Sequence, residues 1–303
     1  MAVKTWVGTT TNPATAGNWS GGTVPADGDS IVVPASATFG IAGADLTAGG
    51  TVQFVGLTVE EGCTVTLGSA ATPLHIDLKD GASYYDANLA GSGVSYLQID
   101  NAANINVTNA ASAATGIFGL TITGVNDASA QGKLNIRCPS TAKIAVGTTV
   151  AGSCEANVIT VSGGNVTLQS GLVKYDGSAA PDLTMSGGDV AVYCPTGTIA
   201  KTGGNMTTLG GAIAAYTGNG GNTYHKSTGT ITAGTIGGNE AFDASLDLRA
   251  KTITSFTIQG SSATYKDPNK VITNTNPIQL KGGAKVSQLD IGTDCGIARS
   301  ALA

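Results

Sequence analysis

Charge is scarce in this chain. Only 12% of its 303 residues are Asp, Glu, Lys or Arg, about half the usual quarter. With 41% apolar residues and a net charge of −5, disorder driven by self-repulsion is excluded. Basic clusters are missing too: the arginines, Arg137, Arg249 and Arg299, lie far apart, which argues against the basic face that nucleic acid requires. No apolar run approaches the ~18 residues of a membrane helix. Glycine shows no three-residue period, which removes collagen. Aromatic residues make up 5%, too few to fill one large globular core. The cysteines, Cys63, Cys138, Cys154, Cys194 and Cys295, are odd in number, with no Cys-x-x-Cys spacing and no neighbouring histidine to suggest zinc. The opening Met-Ala-Val-Lys-Thr-Trp lacks the apolar core and small-residue cleavage site of a secretory signal. Reduced, buried thiols in a chain folded in a cytoplasm are therefore expected.

What the chain does have is glycine, 44 residues of it, punctuating short alternating runs. Thr51–Val55, Thr64–Leu67, Leu74–Leu78, Tyr96–Ile99, Leu120–Thr123, Lys133–Ile136, Lys143–Val146 and Ile253–Ile258 read as half-buried strands of period two. β-Branched Thr, Val and Ile favour that extended state. A motif recurs in the middle: Val161-Ser-Gly-Gly-Asn-Val166, Met185-Ser-Gly-Gly-Asp-Val190 and Lys201-Thr-Gly-Gly-Asn-Met206. Steps of about 24 and 16 residues lie near one coil of a β-solenoid, with Gly-Gly-Asn/Asp supplying the left-handed corner. A parallel β-helix suits this composition, because each coil needs only a few Val, Ile and Leu stacked on the next. A β-sandwich is the alternative. The expected organisation is an N-terminal cap and anchor over residues 1–50, a solenoid body over 51–240, and a C-terminal β cap or small β subdomain over 241–303.

The N-terminal segment holds both tryptophans. It reads Trp6-Val7-Gly8, then Asn18-Trp19, then Pro25-Ala26-Asp27-Gly28-Asp29 leading into Ser30–Pro34. This element resembles the opening of β-helical proteins of bacteriophage particles and of some bacterial surface passengers. The resemblance covers roughly the first 35 residues. It implies a β-helix start and, given the missing export signal and free thiols, a virion protein rather than a surface adhesin.

Catalytic residues are hard to assemble. Glycoside cleavage needs two facing carboxylates, and the glutamates are Glu60, Glu61, Glu155 and Glu240; adjacent Glu60 and Glu61 would point to opposite faces of a strand. Asp27 and Asp29 fit turn and cap roles better than catalysis or metal binding. His75 shares the phase of Asp77 and so belongs to solvent or an outer ladder, and His225 reads as part of a glycine-rich surface loop beginning near Gly218. The Gly-Gly-Asn corners lack the Gly-x-Asp continuation of calcium-binding repeats. No catalytic, cofactor or metal site is expected.

The expectation is thus a non-enzymatic phage structural protein that decorates and cements the assembled capsid, sitting on the virion surface with the major capsid protein as partner. Homotrimer formation, and no nucleic-acid or membrane partner, go with it. Trp6, Trp19, Pro25, Asp27 and Asp29 are the candidate particle-anchoring residues. The alternatives are a tail fibre or spike that recognises host glycans, with Tyr84, Tyr85 and Tyr96 stacking on sugars, and a bacterial surface adhesin.

Overall fold

A computed structural model describes residues 2–60, 63, 65–69, 71–79, 86–90, 96–100, 104–108, 117–123, 133–138, 143–152, 154–174, 180–291 and 297–299. The chain is a parallel β-solenoid. One ladder runs through Val3–Thr5, Ser30–Val33, Gly56–Val59, Asp86–Ala90, Asn104–Thr108, Lys133–Arg137, Val158–Val161, Asp182–Met185 and Thr196–Lys201, each parallel to the next. A second ladder runs through Leu74–Asp77, Tyr96–Asp100, Ile117–Thr123, Lys143–Val146, Asn165–Leu168, Asp189–Val192 and Asn205–Thr208. From Gly56 to Thr208 the chain visits the two ladders alternately, one rung of each per coil, whereas the first two rungs, Val3–Thr5 and Ser30–Val33, precede the second ladder. Sandwich hairpins would pair antiparallel; these ladders do not.

Two long strands, Ile213–His225 and Ile231–Asp243, bend across the corner, so that one end lies in each ladder. Lys251–Gln259, Ile272–Asn274, Ile278–Lys281 and Ile297–Arg299 continue the first ladder, and Thr264–Asp267 and Leu289–Ile291 the second. Pairing is therefore continuous from the first fifty residues into the last sixty, and both terminal segments contribute coils.

Parallel in-register stacking places like on like. In the first ladder Leu134, Ile159, Leu183 and Ile199 form one inward column, and Ile136, Val161 and Met185 form the next. In the second, Ile144, Val166, Val190 and Met206 stand beside Val146, Leu168 and Val192. All are buried, and each contributes roughly 1.5–3 kcal/mol by leaving water. The repeated motifs stack as well: Asn165, Asp189, Asn205 and Asn222 share one register, and the glycines before them, Gly164, Gly188, Gly204 and Gly221, all have positive φ (93°, 79°, 77° and 85°). A Cβ on Gly221 would also lie 2.0 Å from the Gly204 carbonyl oxygen, so coil-to-coil approach requires glycine there twice over.

Several expected strands differ. Thr51–Val55 is not a strand: the amides of Gly50, Thr51 and Val52 all donate to the Thr47 carbonyl and form a turn, leaving only a bridge from Phe54 to Leu78. In Thr64–Leu67, Leu67 makes a single bridge to Ile41, and Thr64 lies outside the described residues. The segment after Gly218, expected as a surface loop, is instead strand Ile213–His225, and His225 is fully buried. No helix among the described residues is long and apolar enough to cross a membrane.

Candidate functional site

Three places on the solenoid gather chemistry: the N-terminal end, an outer groove, and the interior of the later coils. At the N-terminal end every residue of the tryptophan element has a task. Trp6 and Trp19 pair through an antiparallel bridge and pack edge to face, with ring centroids 4.9 Å apart at 73°. Both are buried. Their indole N–H groups donate to the carbonyls of Phe39 (2.8 Å) and Pro13 (2.7 Å), so each ring fills the end of the core with its polar atom satisfied. Gly8 is required because a Cβ there would lie 2.6 Å from the Trp6 indole nitrogen.

Asn18, also buried, ties down the preceding loop. Its Oδ1 accepts from the amides of Thr9 and Thr10, and its Nδ2 donates to Thr10 Oγ1 and the Asn12 carbonyl. The Ser20 hydroxyl accepts the Thr5 amide at 2.9 Å on the outer edge of the first strand, occupying an edge that would otherwise be open for pairing.

Asp27 and Asp29 diverge. Asp27 is exposed, pairs with Lys79 Nζ at 2.7 Å and accepts the Gln53 amide; the Lys79 hydrogen bond holds its carboxyl below the ordinary value. Asp29 is nearly buried and accepts the amides of Ala2 and Ala26. Burial works against its charge, yet those amides, with Lys4, hold its carboxyl low. Each aspartate is thus occupied by its own partners across a different junction. Pro25 is half-buried at the start of that turn. Around this sealed end four large apolar side chains remain in solvent: Val3 (63% exposed), Val7 (53%), Phe39 (44%) and Val24 (41%).

The outer groove lies on the second ladder. It encloses about 370 Å³ between Asn165, Asp189, Ala191, Asn205, Thr207 and Tyr224. Asn222 Nδ2 donates to Asn205 Oδ1, and Asn205 Nδ2 to Asp189 Oδ1, each at 2.8 Å. Ala191, the smallest side chain in the column of Thr167, Thr207 and Tyr224, leaves the hollow, and Tyr224 forms one wall. His75 takes the outer-ladder place its phase suggests, 3.2 Å from Asp45 and 3.4 Å from Gln98. Tyr96 begins a strand of the second ladder. Tyr84, Tyr85, Glu61 and Cys295 lie outside the described residues.

The interior changes character at Lys201. The column that holds Val161 and Met185 continues with Lys201 and Gly218, and Val192 is followed by Thr208 and His225. Lys201 and Glu240 are wholly buried, with Nζ 2.8 Å from Oε2. Glu240 Oε1 accepts from Tyr216 Oη (2.6 Å) and Thr223 Oγ1 (2.7 Å). Burial lowers the hold of Lys201 on its proton, and burial with the Glu240 charge raises the Tyr216 phenol well above its usual value. Thr208 Oγ1 meets His225 Nδ1 at 2.7 Å, and burial pushes that imidazole down to about 4. Phe242, Phe256 and Tyr265 pack beside this cluster, Phe242 stacked on Tyr265 at 5.4 Å.

The alternation Ile199–Lys201 and Glu240–Phe242 carries a signal for this cluster. Each charged residue is in phase with an apolar residue of its own strand, and so points inward. Cys63, Cys138, Cys154 and Cys194 are buried and form no disulfide, and burial pushes the Cys194 thiol up to about 12. Among the described residues no three His, Cys, Asp or Glu side chains gather as metal ligands.

Geometry thus defines the class, a capped parallel β-solenoid. Compared with protein-family models, curated proteins and solved structures, the chain finds no match.

Proposed function

We propose that this protein is a non-enzymatic structural component of a bacteriophage particle that decorates and stabilises the assembled capsid, docking through its N-terminal end. The observation that carries this reading is that Val3, Val7, Val24 and Phe39, all within the segment that builds the tryptophan cap, are exposed; Leu246 and Leu248 are exposed as well, in the later coils. Exposed apolar groups clustered at one place on a soluble protein mark an interaction surface. The resemblance of the tryptophan element to phage β-helix openings names the setting. The anchoring work is divided: Trp6, Trp19 and Asp29 build the cap from inside, while the exposed side chains of that segment meet the major capsid protein. Binding only the assembled shell would stabilise it by mass action.

The test is a Val7→Asp/Phe39→Asp double variant, added to intact particles beside the unaltered protein and located by gold labelling. The expected result is regular label over the head with the unaltered chain and none with the variant, while both keep the same β circular dichroism. Equal decoration by the variant would move the docking surface elsewhere. Label at the tail tip would favour the second reading, a receptor-binding fibre or spike. The groove beside Tyr224 supports that reading, since an aromatic wall next to a row of amides suits sugar hydroxyls and ring faces.

A further inference from the structure

The Lys201–Glu240 pair is more elaborate than an ion pair requires. Its amine and carboxyl are fully buried and 2.8 Å apart, an arrangement whose desolvation cost is commonly as large as its Coulombic gain. Two hydroxyl donors, Tyr216 and Thr223, converge on Oε1, the carboxyl oxygen that does not face the amine. The two hydroxyls, themselves 2.7 Å apart, hold the oxygen on which negative charge would gather if Cδ were attacked, the role of donors to a tetrahedral oxyanion. The surrounding backbone is cut to fit. A Cβ on Gly218 would lie 2.5 Å from Tyr216 Oη and 2.7 Å from Glu240 Cδ, and one on Gly221 would lie 2.9 Å from Lys201 Nζ. Held 2.8 Å apart and buried, the two groups meet at a high effective concentration, and a turn of the Lys201 side chain from Oε2 towards Cδ would bring the amine to attack.

We propose that Lys201 and Glu240 condense to an intramolecular amide. A proton passes from the Lys201 ammonium to Oε2 across their contact. The neutral amine attacks Cδ, forming the N–C bond, and the negative charge settles on Oε1 between Tyr216 and Thr223. A second proton moves from nitrogen to Oε2, the Cδ–Oε2 bond breaks, and Oε2 leaves as water. Ammonium and carboxylate thus become an amide and one water, with no oxidant or other reactant. Oε1 becomes the amide oxygen and keeps its donors. The Gly220 carbonyl, which accepts from Lys201 Nζ at 2.5 Å, receives the remaining N–H. The raised phenol of Tyr216 stays protonated, as a donor must. Gly218 and Ile236 follow Lys201 in the first ladder, while Glu240 lies opposite Gly221 in the second, so the bond would reach over the intervening coil and clip the coil of Lys201 to the coil of Glu240.

The experiment is the intact mass of the purified full chain under denaturing conditions, followed by tryptic mapping. The expected mass is one water, about 18 Da, below that of the sequence. Trypsin should then fail to cleave at Lys201 and release the segment Tyr175–Lys226 joined to Ser227–Arg249. Glu240→Ala should restore the expected mass of an unlinked chain. Tyr216→Phe should slow linkage after refolding by about 100-fold, the order of effect seen on removing one oxyanion donor. Full mass with normal cleavage at Lys201 in the unaltered protein would overturn the proposal. So would a lost water with Lys201 still cleaved, since the dehydration would then lie elsewhere.

Discussion

The coils from Lys133 to Val192 and those from Lys201 to Asp267 are built on the same two ladders and filled in opposite ways. The earlier coils stack Leu on Ile on Leu and Val on Leu on Val, and the buried side chains described there are all apolar, aliphatic apart from Met185 and the thiols of Cys138 and Cys154. The later ones enclose Lys201, Thr208, Thr223, His225, Glu240 and Asp267, beside Tyr216, Phe242, Phe256 and Tyr265. Parallel main-chain pairing runs through both, with one register shift between Gly218 and Gly220 in the later coils. A solenoid fixes its coils through backbone ladders and leaves the interior column free to vary, at a cost wherever a buried polar atom lacks a partner, as His225 Nε2 does. Asp267 avoids that cost: buried, it accepts the amides of Val271 and Ile272 at 2.9 Å each.

Removing one polar partner is the strongest way to break the parity between the two regions. Glu240→Ala leaves the buried Lys201 ammonium without its counter-charge, facing the Gly220 carbonyl, and leaves Tyr216 and Thr223 to each other; it is expected to cost about 3–5 kcal/mol, read as early hydrogen exchange of the coils between Thr196 and Asp267 while those before Val192 keep their protection. Acid should separate the regions next. Burial, with the Lys251 charge, holds His225 near 4 against the opposing charge of Asp247. Since the unfolded chain binds the proton first, the contribution is complete above about pH 6.5 and lost as pH falls towards 4, amounting to about 3 kcal/mol. Urea midpoints across that window should fall, and His225→Phe should flatten the fall. Smaller changes sharpen the contrast. Ile159→Val in the aliphatic column should cost about 1 kcal/mol, and Asn205→Ala in the outer ladder less than about 1 kcal/mol, both measured by urea titration.

Much of the aliphatic region was legible in the residues. Lys143–Val146 alternates cleanly and forms the strand its pattern suggests. The Gly-Gly-Asn/Asp motifs, irregular along the chain at steps of about 24 and 16 residues, prove to be spatially regular; the longer step includes Leu172–Val173, which pairs in parallel with Cys154–Glu155 in a small ladder of its own. A fourth member, Gly220-Gly221-Asn222, continues the series and is hidden in a run of glycines that looks like loop. Those glycines mislead for a physical reason: Gly218 and Gly221 make room for the Glu240 and Lys201 head groups, and Gly220 for the Thr202 backbone of the coil before. Trp6 and Trp19 carried the signal for the cap, but whether a tryptophan faces a core or a partner depends on where its indole N–H finds an acceptor, and Phe39 and Pro13 are not predictable from spacing.

Ser20 has a consequence at the scale of assemblies. A stack of parallel strands is a template, and a second copy could lengthen it by pairing with whichever rung is last. With the hydroxyl of Ser20 seated on the outer rim of Val3–Thr5 and the tryptophans closing the bore behind it, this terminus is a chain stopper. A second copy would have to displace that hydroxyl before it could pair with Val3–Thr5 along this edge.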